Sequence, residues 1–189
     1  MTLPTSSAPA QRAEVRMPMH CSRGPAEQTF RAVLTLPGTT TPGATFTVRI
    51  DSFPSGRVEH FGLYNLFDMR TDYAVAGGRV VPSSPRIVAG TGTPNVRVTA
   101  RAWLDGAVVH ALLPARIDNG QSYTPPSIEF DVAVDAPAGG AVRIQFVHYE
   151  VGAVVFLLGR IRTNCDPAPS PATVATVRVD APASAPRMP

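Results

Sequence analysis

Lysine is absent from this 189-residue chain, and charged residues of either sign are scarce. All 17 basic residues are arginines, charged residues make up 16% of the sequence, and the formal net charge is +3. The arginines are scattered along the chain and form no basic stripe, which argues against a nucleic-acid partner. The longest apolar run, 151–158, is far shorter than the ~20 residues that a membrane-spanning helix needs. We therefore expect neither nucleic-acid binding nor a membrane span.

Motifs that usually identify an enzyme are also missing. The sequence contains no Gly-x-Ser-x-Gly, no Walker loop, no Gly-x-Gly-x-x-Gly and no His-Glu-x-x-His. We expect no cofactor, no metal and no catalytic residues. One enzymatic alternative is kept, a small secreted enzyme that uses His148 and Glu150 together with Glu59 and His60. A pocket shared by two or more of these residues would support it.

The chain has only two cysteines, Cys21 and Cys165, and they bracket nearly everything that looks able to fold. A disulfide between them would join the first and last parts of one domain, close a loop of about 140 residues and stabilise the fold by roughly 5 kcal/mol. Such a bond persists outside the reducing cytosol, and it requires Cα atoms about 4.4–6.8 Å apart. The alternative is two separate buried thiols, because cysteine is among the most buried residue types.

Proline and glycine recur between short apolar runs, and no long stretch has helical periodicity. This pattern predicts an all-β fold, an Ig-like antiparallel β-sandwich of roughly seven to ten strands. Segments 45–51 and 128–134 alternate most regularly between apolar and polar residues. We divide the chain into a flexible segment 1–15, a single sandwich domain 16–180 and a flexible tail 181–189.

Turn residues predict the register of two hairpins. Asp105-Gly106 is typical of a two-residue type I′ turn, which would place Trp103 opposite Val108. A second hairpin is predicted through residues 150–152, between two apolar-rich segments.

The first predicted hairpin has one apolar face and one mixed face. The mixed face carries Arg97, Arg101, Trp103 and His110, and Trp103 is the only tryptophan in the chain. Because tryptophan and arginine are frequent at binding hot spots, we predict that these four residues form a binding surface. Trp103→Ala should then weaken a partner complex by more than about 2 kcal/mol and change the stability of the monomer little. The alternative is that a loop covers Trp103 and its arginine contact is internal.

Glu129, Asp131 and Asp135 form an acidic row along one predicted strand. Calcium is bound by clusters of six or more oxygens, so an ion site is one interpretation. A solvated strand face is the interpretation that we favour.

Both ends of the chain carry recognisable residues: Met19-His20-Cys21 before LPGTTTPGATFTV, and RIRTNCDPAPSPATVATVRV near the C-terminus. These segments resemble a group of secreted actinobacterial Ig-like two-cysteine domains of unknown function. The resemblance implies export, a Cys21–Cys165 bridge and an extracellular or cell-surface role, and it supplies no catalytic residues. Residues 1–14 lack the basic and apolar regions of an intact signal peptide.

The sequence therefore predicts a non-enzymatic extracellular or cell-surface β-sandwich that acts as a binding, adhesion or assembly module. We expect a protein or cell-surface partner, and the sequence leaves oligomerisation open. The alternative is a structural or adaptor subunit of a larger secreted or phage-like particle.

Overall fold

The computed structural model describes residues 9–23, 27–53, 57–89, 100–122 and 127–182. Within these ranges the regular secondary structure is β-strand alone, which confirms the all-β prediction. No helix in the described ranges has the length and apolar character required to cross a bilayer.

Thirteen strands are present in the described residues, more than the predicted seven to ten. Three of them contain only two to four residues, too few to show an alternating pattern in the sequence. In chain order the strands are β1 (Ala10–Cys21), β2 (Glu27–Pro37), β3 (Thr39–Thr40), β4 (Thr45–Ser52), β5 (Leu63–Ala76), β6 (Gly78–Val80), β7 (Arg86–Ala89), β8 (Arg101–Asp105), β9 (Val108–Asp118), β10 (Ser127–Val134), β11 (Ala141–Val155), β12 (Gly159–Pro167) and β13 (Ala172–Val179).

The strands form two packed layers that are hydrogen-bonded to each other at one edge. The first layer has the order β10-β4-β2-β1, with the short strands β6 and β7 beside β10. The second has the order β12-β11-β5-β9-β8, and β13 lies beside the first half of β11. Strands β1 and β12 pair and thereby connect the layers. All pairings are antiparallel except the short contact between β3 and β13.

The core lies between the layers and is built from alternate residues of the strands. In β4 and β10, the pair Val48 and Phe130 is fully buried, as the alternation predicts. The second layer contributes Phe146 of β11, which stacks on Phe30 at 4.3 Å and meets the edge of Tyr73 at 5.5 Å between ring centroids. Burial raises the pKa of the Tyr73 hydroxyl well above its usual range.

The predicted disulfide is present between Cys21 of β1 and Cys165 of β12. The two residues lie directly opposite each other, and their Cα atoms are 4.0 Å apart, slightly closer than the predicted range. Directly opposed residues of antiparallel strands make the closest cross-strand approaches. The bond spans 144 positions and joins the first and last parts of the domain.

The turn of the β8–β9 hairpin lies one residue later than predicted. Asp105 still belongs to the strands and pairs with Val108, so the turn residues are Gly106 and Ala107. Gly106 has φ +58°, which suits the first central position of a type II′ turn. Trp103 therefore pairs with His110, although the predicted division of residues between the two faces is correct.

The hairpin predicted through residues 150–152 is wrong. Strand β11 continues through Gly152 to Val155, and the turn lies at residues 156–158. Gly152 serves close packing instead of a turn, because a Cβ there would overlap the ring of Phe67 on β5.

Strand β1 begins at Ala10, within the segment that the sequence assigned to a flexible N-terminus. Residues 10–14 are exposed, so no apolar alternation marks them as a strand. Residues 1–8 and 183–189, which include most of the two predicted flexible ends, lie outside the described residues.

Candidate functional site

Three of the four residues predicted as a binding surface lie together on one face of β8 and β9. We call Trp103, Arg101 and His110 the Trp103 group. The indole stacks on the imidazole with ring centroids 5.1 Å apart, and the Arg101 guanidinium carbon is 5.3 Å from the indole centroid. Arg97 lies outside the described residues. The indole is half-buried, so much of its surface is already used in contacts within the molecule.

His110 is held in place by the neighbouring strand. Its Nδ1 lies 2.7 Å from Oδ1 of Asp72 on β5, and Asp72 is buried. The same carboxylate oxygen lies 3.2 Å from Nε of Arg70. The Trp103 group therefore rests on a buried charge cluster and is part of the packing of β5, β9 and β8.

The residues of the enzymatic alternative have separate partners. His148 Nδ1 lies 2.7 Å from Asp166 Oδ1. Glu150 is ion-paired with Arg162 and, at 3.6 Å, with Arg70. His148 and Glu150 are thus each bonded to a residue other than the other member of the pair.

Glu59 and His60 lie in the loop before β5, where they also have their own partners. Glu59 is paired with Arg57 at 3.4 Å, and the His60 backbone nitrogen donates to the Asn119 side chain. Among the described residues, Glu59 and His60 therefore have partners separate from those of His148 and Glu150.

The acidic row, which follows β10 and ends one residue after it, is hydrogen-bonded or ion-paired to its neighbours. Each of its carboxylates has a hydrogen-bonding or ion-pairing partner: Arg49 and Arg86 for Glu129, Thr47 for Asp131, and Arg79 for Asp135. In the part of the chain that the structure describes, no three His, Cys, Asp or Glu side chains are grouped as a metal site. The arrangement favours a paired strand face over an ion site.

A surface that the sequence did not indicate lies at one end of the second layer. The loop before β5 and the turn between β11 and β12 meet there, because β5 and β11 pair up to Leu63 and Val155. The Phe156 backbone nitrogen donates to the Gly62 carbonyl at 2.7 Å. This bond fixes the two segments against each other, so their side chains form one continuous surface.

Five large apolar side chains are exposed on this surface. The described residues contain no other large apolar side chain of comparable exposure. We call the set the apolar tip, and it consists of Phe61 (98% exposed), Tyr64 (54%), Phe156 (55%), Leu157 (88%) and Leu158 (63%). The rings of Tyr64 and Phe156 meet edge to face at 6.4 Å. Contiguous exposed apolar surface of this kind marks interaction sites in soluble proteins.

Leu157 stands at the crest of the β11–β12 turn in an unfavourable backbone conformation. Its φ is +62°, in the left-handed region that costs an L-residue about 1–2 kcal/mol. An 88% exposed leucine has almost no packing energy to offset that cost. Glycine or asparagine would fit the position better, so stability alone does not explain the leucine.

Two arginines, Arg160 on β12 and Arg116 on β9, follow the apolar tip toward the middle of the second layer. The Arg160 guanidinium carbon lies 4.4 Å from the Phe67 ring centroid, over a ring that packs against Gly152. Arg116 pairs with Asp118 at 2.7 Å. Arg160 is two residues from Leu158 along the chain, and Arg116 pairs with Phe67 across β5 and β9.

A shallow groove is formed where the tip meets Arg116 and its neighbours. It has a volume of about 580 Å³, and Phe61, Tyr64 and Phe156 share its lining with Arg116 and Asn119. The lining of the groove thus combines apolar and polar side chains. An amphipathic ligand group fits such a lining.

Comparisons with known proteins give structural similarity without sequence similarity. No protein-family model and no curated protein matches the chain. A cohesin module from the Clostridium perfringens ATCC13124 family 33 glycoside hydrolase is similar over 88% of this chain and 99% of its own, with 7% identity and a TM-score of 0.42. The seventh ScaB type I cohesin from Pseudobacteroides cellulosolvens is similar over 80% and 91%, with 12% identity and a TM-score of 0.35. Because both TM-scores are below 0.5, these similarities carry no argument about what the chain does.

Proposed function

We propose that this chain is a non-enzymatic extracellular or cell-surface binding module that docks through its apolar tip. One observation carries the proposal: five large apolar side chains, each more than half exposed, are held together at one end of the sandwich. Leaving such a surface in water favours association or aggregation, so its presence is best explained by a partner that covers it.

The extracellular location is supported by the disulfide. Cys165 is fully buried and the bond is part of the β1–β12 pairing. Disulfides of this structural type persist in oxidising compartments. Protein isolated from its natural source is unfolded and alkylated. Alkylation should add no mass before reduction and two adducts after reduction. Two free thiols in protein isolated from its natural source would contradict this location.

The docking role can be tested with the envelope fraction of the producing organism. Purified protein is mixed with the fraction and sedimented, and the double variant Phe61→Ser/Leu157→Ser is compared with Trp103→Ala. We expect the wild type and Trp103→Ala to sediment and the double variant to stay in solution. Equal sedimentation of the double variant and the wild type would contradict docking through the tip.

The Trp103 group is a second candidate docking surface. In its favour, Arg101 is exposed and β8 ends the strand order of its layer in the described residues. Loss of sedimentation in Trp103→Ala, with binding retained in the tip variant, would select this surface instead.

A subunit of a larger particle is the alternative function, and the tip is the surface that would contact a second copy. Light scattering after size exclusion separates the two functions. A binding module stays at the monomer mass of 20.0 kDa across concentrations, whereas an assembly subunit gains mass as concentration rises.

A further inference from the structure

Two side chains of the apolar tip are almost fully exposed, and we call them its crest. Phe61 and Leu157 come from different segments, and they are 98% and 88% exposed. Phe61 therefore lines the shallow groove only at its rim, and both side chains are open to solvent at the end of the sandwich. A rigid partner would need a cavity of matching shape to cover both side chains. The acyl region of a membrane is fluid and can cover them without such a match.

The chemistry behind the crest changes in layers. Tyr64 and Phe156 lie next to the crest and expose about half of their surface. Arg160 is the second residue of β12, which starts at Gly159 and runs away from the tip. Arg116 is further back, opposite Phe67. This order of apolar, aromatic and cationic side chains matches the order of acyl chains, interface and headgroups in a bilayer.

The uncompensated charge beside the tip is positive. The nearby carboxylates are already neutralised, since Glu59 pairs with Arg57 and Asp118 pairs with Arg116. Arg160 lies over an aromatic ring and forms no ion pair with a carboxylate of the described chain. A basic residue at a membrane surface attracts anionic headgroups.

Building on the proposed docking role of the tip, we infer that its partner is an anionic lipid bilayer. Phe61 and Leu157 enter the boundary between headgroups and acyl chains. Tyr64 and Phe156 lie at the interface, and Arg160 contacts headgroup phosphates. The tip is a surface contact and not a membrane span.

The test uses the full chain and large unilamellar vesicles of phosphatidylcholine, alone or mixed with phosphatidylglycerol. We expect sedimentation with the mixed vesicles. Phe61→Ser and Leu157→Ser should each lower the partition coefficient about tenfold, because each removes a large apolar side chain from the membrane. Arg160→Gln should lower it about fivefold on mixed vesicles and leave binding to pure phosphatidylcholine unchanged.

Arg143→Gln is the matched control for Arg160→Gln. Arg143 is exposed near the start of β11, at the other end of the strand from the tip. The Arg143→Gln variant loses the same charge as Arg160→Gln but at a site away from the membrane. Its partition coefficient should therefore equal that of the wild type. A loss as large as that of Arg160→Gln would mean that net charge alone drives binding and would overturn the assignment of Arg160.

Fluorescence gives a second measurement that does not depend on loss of binding. Trp103 is the only tryptophan of the natural chain, and it lies on β8, outside the tip. Vesicles should leave the emission of the wild type unchanged, whereas the emission of Phe61→Trp should shift to shorter wavelength. If the emission of the wild type shifts, and that of Phe61→Trp shifts no further than the wild type, the membrane contact lies at the Trp103 group. That result would overturn the inference.

The failures of the two proposals are distinguishable. If the wild type ignores both vesicles but still sediments with envelope material in a tip-dependent way, the lipid partner is wrong and the docking role stands. Loss of that sedimentation after protease treatment of the envelope would identify a protein partner instead. If the tip variants bind vesicles and envelope as the wild type does, both proposals fail.

Discussion

The Trp103 group and the apolar tip are both clusters of large side chains that reach the surface, but they differ in how far their side chains are covered. The indole of Trp103 stacks on His110, and His110 is held by the buried carboxylate of Asp72. The crest of the tip, at Phe61 and Leu157, is almost entirely exposed. Residue types that are frequent at hot spots thus serve packing in one region, while ordinary apolar residues lack any cover in the other. The difference teaches that residue type alone does not tell which large side chains are left uncovered by the rest of the fold.

The largest expected effect tests whether the Trp103 group is structural. Asp72→Ala should lower the free energy of unfolding by about 3 kcal/mol, because His110 and Arg70 lose a partner that is only 7% exposed at its side chain. Urea denaturation measures the change. Asp166→Ala is the matched control, since its carboxylate also lies 2.7 Å from a histidine but is 58% exposed. That variant should lose less than about 1 kcal/mol. Equal losses in the two variants would show that burial of the carboxylate does not determine its contribution to stability.

The next effect concerns the indole itself. Trp103→Ala should cost about 2 kcal/mol of stability, roughly half the cost of removing a fully buried tryptophan. Trp103→Phe keeps an aromatic ring over His110 and should cost less than about 1 kcal/mol. Denaturation followed by circular dichroism measures both variants. Unchanged stability together with weaker partner binding would instead support the binding role that the sequence predicted for this residue.

A smaller effect of opposite sign is expected at the crest of the tip. Leu157→Gly should raise the free energy of unfolding by about 0.5 kcal/mol, because relief of the left-handed φ exceeds the added freedom of the unfolded chain. Leu158→Gly, in the same turn, has no such strain to relieve and should lose a similar amount. Thermal unfolding at matched conditions measures the pair. A destabilised Leu157→Gly variant would show that the leucine contributes to packing.

The smallest effect is expected for Phe61→Ser, which should change stability by less than about 0.5 kcal/mol. The side chain is 98% exposed and has almost no contacts to lose. The same denaturation experiment applies. A loss above about 1 kcal/mol would mean that Phe61 packs against the protein, and the contrast with the Trp103 group would then disappear.

Regular alternation made part of the fold predictable. Strands β4 and β10 each bury one face, so Val48, Phe130 and Val132 could be assigned to the core before the structure was known. The cysteines could be paired because they bracket the foldable region. The division of faces in the β8–β9 hairpin was also predictable, since the side-chain period of a strand does not depend on the turn type.

The features that the sequence did not predict have no alternation of buried and exposed residues. The first half of β1 is exposed, and the strands β3, β6 and β7 are too short to alternate. The tip was hidden in the apolar run 151–158, whose first five residues are strand and whose last three form a turn. Turns are usually polar, so a turn of Phe, Leu and Leu gives the wrong signal. Gly159 directly after the run, with φ +67°, is the one feature that could have placed the turn.

Strand β11 runs along the whole second layer, from Ala141 to Val155 near the tip. At its Ala141 end it pairs with Arg178 of β13, and Arg178 also pairs with Thr39 of β3. Strand β1 begins close by, because Ala10 pairs with Pro37. The described chain therefore enters and leaves the sandwich at the end away from the tip.

A 15-residue strand extends over roughly 50 Å, so this length separates the two ends of the module. Under the proposed docking role, whatever is joined before β1 or after β13 would be carried at the end of the module opposite the contact surface. The sandwich would then act as a spacer that holds an attached segment away from that surface. A fluorescent label or an immobilisation tag fused at either side leaves the contact end unobstructed.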